Sequence, residues 1–142
     1  MHRGLLRHYR VGRLSAGPGS AVVRHHTERF YGRGLRPLSP VHLRHRPDGA
    51  GGDHFRWIRR SRIGADDWGT EEVPLGEWAE AYLVRVIQDG QTLIEQSVTQ
   101  PAWHLSAAER SRLGLSGAFV FAVAQLSDRV GPGGWGRLSV PG

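Results

Sequence analysis

The residues most able to do chemistry crowd into FRWIRRSRIGADDW, residues 55–68, which sets two tryptophans and four arginines beside two aspartates. Arginines interleaved with rings are what a nucleic-acid groove uses, for phosphate contact and base stacking. The same residues also fit one strand and one polar loop of a β-sheet protein. GPGGWG, residues 131–136, matches G-x-G-x-x-G through Gly131, Gly133 and Gly136. A dinucleotide site needs that loop between a strand and a helix. Only six residues follow here, so the stretch reads as the loop between the last two strands, and no cofactor is expected. Eight histidines invite a metal. His25 and His26 are adjacent, however, and His42 and His45 point to opposite faces of a strand, with no H-E-x-x-H and no carboxylate at ligand spacing. No metal site is expected. DGAGGD, residues 48–53, lacks the alternating carboxylates of a calcium loop and reads as a hairpin turn. There is no G-x-S-x-G. Asp66, Asp67, Glu71 and Glu72 could be drawn as a glycosidase pair, but following four arginines they read as ion partners. The chain is expected to be no enzyme, with no catalytic residues.

The charge is unevenly placed. All nineteen basic residues are Arg, with no Lys and no Asn, a bias that G+C-rich codons produce and that weakens the case for phosphate recognition. Residues 1–35 hold seven Arg against Glu28, or +6; residues 36–142 hold twelve Arg against twelve Asp plus Glu, or zero. A step of that kind marks a boundary. It predicts a basic N-terminal arm over 1–35, the end of a preceding domain, and a domain over 36–142. That domain, neutral in sum, carries no general electrostatic footprint for nucleic acid. Cysteine is absent, so disulfides and Cys-zinc sites are excluded. No apolar run approaches the roughly 18 residues of a membrane helix, and MHRGLLRHYR lacks the apolar core of a signal peptide.

The elements that must position these residues are mostly strands. The arm has one short apolar stretch, LLRHYRVG, then SAGPGS and AVVRHHTERFYGRG, and reads as one or two strands with loops. Arg36-Pro37 and Ser39-Pro40 form a stiff extended linker, because residues before proline are pushed from the helical region. VHLRHR (41–46), DHFRWIRRS (53–61), EAYLVRVIQDG (80–90), QTLIEQSVT (91–99), GAFVFAVAQLS (117–127) and WGRLSV (135–140) alternate or run apolar. Asp89-Gly90 is a hairpin signal. Ser106-Ala-Ala-Glu109 is a capping box, and Gly114 a stop, for a short helix over 107–113. Six strand segments in about 100 residues predict an all-β antiparallel sandwich with one short helix and an N-terminal arm. Phe55 and Trp57 share its inner face.

PLSPVHLR, then HFRWIRR, YLVRV with its hairpin, and FVFAVAQLSDRVGPGGWGRLSV resemble a fibronectin type III-like (immunoglobulin-like) sandwich. That likeness implies a core built on Trp57, Tyr82, Val84, Phe119, Phe121 and Val123. As a set, RVG, GLRPLSPVHLR, RWIRRSRIGADDW, EVPLGEWAEAYLVRV and AQLSDRVGPG resemble more specifically the C-terminal region of the tail-tip host-specificity ("megatron") proteins of gene transfer agents and siphophage-like prophages, over residues 9–140. The resemblance implies that this chain corresponds to the C-terminal end of such a protein, without its upstream domains. It also implies a non-catalytic structural or adhesion module at a phage-like tail tip, assembled in the bacterial cytoplasm. The expected partners are other tail-tip or baseplate proteins, or glycans of the recipient surface; nucleic-acid binding through the arm and glycan binding are the alternatives. The expected contact residues are Arg62, Asp67, Trp68 and Trp78 in the loop 61–79, and Trp135 in a loop 128–135, since Trp and Arg dominate interfaces.

Overall fold

The computed structural model describes residues 6–12, 24–29, 36–61 and 79–142. The chain divides into two compact units, 1–35 and 36–142. The first contains a hairpin of β1 (Leu6–Val11) and β2 (Arg24–Arg29), paired antiparallel from Leu6↔Arg29 to Val11↔Arg24. Every β1 side chain is exposed, Leu6, Tyr9 and Val11 included.

The second unit is two antiparallel sheets. One has the order β3-β4-β7, from β3 (Val41–Pro47), β4 (Asp53–Ile58) and β7 (Ala102–Leu105). The other has the order β6-β5-β8-β9, from β5 (Tyr82–Gln88), β6 (Gln91–Val98), β8 (Phe119–Ser127) and β9 (Gly131–Val140). Between them lies an aromatic core. Phe55 stacks on Phe121 at 4.1 Å, and Trp57 meets Tyr82 edge-on at 5.2 Å. Offset and edge-on rings use the ring quadrupole favourably. Trp57, Tyr82, Val84, Phe119, Phe121 and Val123 are all buried. Alternation makes this possible: β4 reads buried–exposed from Asp53 to Ile58, and β5 places Tyr82, Val84 and Val86 inward.

Local chemistry fixes the turns. Asp89 and Gly90 take φ of 50° and 78° between β5 and β6, the two positive values that a tight hairpin turn requires. Between β3 and β4, Asp48 Oδ1 accepts from the Ala50 and Gly52 N–H groups, so DGAGGD is a turn held by its own aspartate. The helix α1 (Ala107–Arg112) begins with the full capping box: Ser106 Oγ accepts from Glu109 N–H, and the Glu109 carboxylate accepts from Ser106 N–H. The Ser106 N–H, and then the Ser106 hydroxyl that donates to the same carboxylate at 2.9 Å, hold the Glu109 carboxyl below its ordinary pKa.

The structure adds to and corrects these expectations. AWHL, outside the six strand segments expected from the sequence, is β7, which pairs with β4 at the sheet edge. The stretch 131–136 is not a loop but the first half of β9; the turn is only Asp128–Val130, and Trp135 lies in the strand opposite Ala124. Residues 36–40, expected as a stiff extended linker, are also docked on the sandwich. Gly134 N–H donates to Pro37 O at 3.2 Å, and Arg60 donates to both Ser39 O and Ser39 Oγ at 2.9 Å. The glycines of GPGGWG are explained by that docking. A Cβ on Gly133 would lie 2.3 Å from Pro37 O, and one on Gly136 2.8 Å from Pro40 O.

Candidate binding surfaces and a buried ion network

Of the five contact residues expected from the sequence, Arg62, Asp67, Trp68 and Trp78 lie outside the described residues. Trp135 is half-buried on the outer face of the larger sheet, with the Arg85 guanidinium 4.2 Å over its ring. Arg85 also bonds to Glu95 on β6. The pair roofs Ala122 and Ala124, the small buried outward residues of β8 that register opposite Arg85 and Trp135. One face of the Trp135 ring is thus already occupied by a cation rather than open to a ligand.

Sequence spacing left the histidines without carboxylates; folding supplies them. Asp53, 2% exposed at the inner edge of β4, takes His45 Nε2 on Oδ1 at 2.5 Å and Arg110 Nη1 on Oδ2 at 2.7 Å. A buried carboxylate persists only when paired and hydrogen-bonded. Here it ties β3, β4 and α1 together, and Arg110 lies in turn 5.7 Å over the Phe119 ring. A His–Asp pair is also two thirds of a nucleophilic triad. Among the described residues, no serine or threonine hydroxyl is hydrogen-bonded to His45. None of the described His, Asp and Glu residues forms a group of three able to hold a metal.

Tyr82 is wholly buried, and its hydroxyl donates to Glu80 Oε1 at 2.5 Å. Burial first, and the neighbouring carboxylate second, push this phenol well above its ordinary pKa.

The outer face of the smaller sheet is different. Its side chains register in two rows: Arg46–His54–His104 and Arg44–Arg56–Ala102. Arg44, Arg46, His54, Arg56 and His104 are exposed and line an open groove of about 790 Å³. His54 and His104 stack at 4.3 Å. Among the described residues one carboxylate lines the groove, Asp48, and it is spent: Oδ2 accepts from His104 Nε2 at 2.9 Å, while Oδ1 holds the turn. The His104 bond, then the two backbone bonds, bring the Asp48 pKa down to about 2. Among the described residues, Arg44, Arg46 and Arg56 have no hydrogen-bond or ion-pair partner.

The strand order β3-β4-β7 over β6-β5-β8-β9, with α1 between β7 and β8, makes residues 36–142 a fibronectin type III-like sandwich. Among solved structures, the chain is similar to domains d3-d4 of the rat CD45 extracellular region. The TM-score is 0.56 at 8% identity, over 100% of this chain and 66% of that one. It is also similar to the crystal structure of FN3tt and to an FN3tt mutant, with TM-scores of 0.49 and 0.48 at 16% identity. Each of these matches covers 74% of this chain, and 92% and 94% of the respective structure. At such identities the likeness is one of fold, and fold does not fix function. No family model matches the sequence, and no curated protein matches it significantly.

Proposed function

We propose that this chain is a non-catalytic recognition module, a rigid sandwich that binds through its surface, and that it serves at the tip of a phage-type tail. The observation that carries the non-catalytic part is where the reactive groups go. Asp53, His45 and Arg110 are bonded to one another, Glu109 is bonded to its own helix cap, and Tyr82 is sealed in the core by Glu80. Among the described residues, Arg44, Arg46 and Arg56 instead stand exposed on one outer sheet face. Binding and catalytic residues usually sit on surfaces or loops held by such a scaffold. The tail-tip setting rests on the motif set in the sequence. It makes the partners either neighbouring tail and baseplate proteins or the envelope of a recipient cell.

Purified full-length chain, immobilised for interferometry, is presented with the tail proteins encoded beside its gene and, separately, with envelope vesicles from candidate recipient bacteria. Saturable binding to either class is expected. A folded chain that binds neither would sink the tail-tip reading. Turnover of chromogenic esters or glycosides above a heat-denatured control would sink the non-catalytic one.

A further inference from the structure

We infer that the outer face of the β3-β4-β7 sheet is an anion site for a compact ligand carrying two or more phosphate groups within roughly 7–10 Å of each other. Its dimensions follow from the register. Arg44 and Arg46 are two residues apart on one strand, hence roughly 7 Å, and adjacent strands lie about 4.8 Å apart. Three guanidiniums and two imidazoles therefore converge on a patch three strands wide and two rows long. Guanidiniums pair with phosphate oxygens in a bidentate way that point charges cannot match.

One feature separates this patch from an ordinary solvated face. Arg44 and Arg56 are direct cross-strand partners; like charges so placed destabilise a sheet, and among the described residues the one acid of the groove, Asp48, bonds His104 and its own turn instead. The patch favours a compact ligand over a nucleic-acid strand, because its large rings, Phe55 and Trp103, are buried. Single-strand binding depends on exposed rings for stacking. The site stands independently of the tail-tip setting.

Inorganic tripolyphosphate is the probe, titrated calorimetrically into the full chain at near-physiological salt, with orthophosphate alongside. Saturable binding of tripolyphosphate, much tighter than orthophosphate, is expected. The double variant Arg44→Gln/Arg56→Gln should weaken it by roughly 10- to 100-fold, as loss of charge-assisted bonds does. Arg137→Gln on the other sheet and Arg7→Gln/Arg10→Gln on the arm should each stay within about twofold. Without ligand, the groove double variant should melt no lower than the parent, since it removes a like-charge pair. Tripolyphosphate should raise the parent's melting temperature and leave the variant's unchanged. Absence of saturable binding overturns the site. So does a loss that follows the arm variant. Tighter, length-dependent binding of an oligodeoxynucleotide abolished by the groove variant would overturn the compact ligand in favour of a nucleic acid.

Discussion

Replacing Asp53 tests whether the buried ion network holds the sandwich together. Asp53→Asn keeps the volume and one acceptor oxygen but removes the charge that both His45 and Arg110 address. Two charge-assisted hydrogen bonds are worth roughly 1.5–3 kcal/mol each, a gross loss of about 3–6 kcal/mol. Part is offset. The carboxylate no longer bears its desolvation cost, and the His45 and Arg110 side chains, 19% and 26% exposed, can rehydrate. The net loss should be about 2–4 kcal/mol, or a melting temperature lower by roughly 10–15 °C for a unit of this size. Arg110→Met should cost at least as much, because it strands a carboxylate that is 3% exposed. Asp53→Asn/Arg110→Met should recover part of the loss, since removing both members of a buried pair is cheaper than removing one. Urea unfolding followed by tryptophan fluorescence gives all four corners of the cycle. Asp53→Asn within about 0.5 kcal/mol of the parent, or strictly additive single losses, would refute the reasoning.

Two further outcomes follow from the core and its closure. Gly133→Ala forces a Cβ to 2.3 Å from the Pro37 carbonyl, a backbone atom that cannot swing aside, whereas Gly134→Ala comes no closer than 3.2 Å to the Ser39 Cβ and 3.3 Å to the Ser39 nitrogen. The first should cost roughly 1–3 kcal/mol or more and the second distinctly less, and equal denaturation midpoints would refute the close approach. The raised pKa of Tyr82 favours its neutral form in the folded state, so its contribution is fully present below about pH 10 and is lost as pH climbs through the raised value. Ultraviolet difference titration should show an ionisation step at unfolding that Tyr82→Phe removes. Reversible ionisation of every tyrosine near pH 10 with the sandwich intact would contradict it.

What the sequence made legible was whatever rests on alternation and on local hydrogen bonds. Phe55 and Trp57, two apart on β4, and Tyr82, Val84 and Val86 on β5 had to share faces, and those faces are buried. The Asp89-Gly90 turn and the Ser106–Glu109 box are each complete within four residues, so composition alone revealed them. β7 was hidden because four residues between Pro101 and a helix cap give too short a run for any periodicity. GPGGWG was misplaced for a different reason. Its glycines do not mark a turn; they clear space for a backbone about a hundred residues earlier in the chain, and no local pattern carries that.

Net charge is a sum and does not say where the charges fall. The opening stretch was judged by the net charge of its unit, in which Arg56 is cancelled on paper by acids elsewhere. A charge, however, is felt over roughly a Debye length, and which charges fall within that length is decided by strand register. Register sets Arg56 beside Arg44 and His54 beside Arg46 and His104, with Asp48 already committed to its turn and to His104. Trp57 and Arg56, neighbours in the chain, thus serve opposite ends: the ring goes into the core and the guanidinium into the groove. Alternation alone assigned both faces, but only pairing across three strands made the outer one a site.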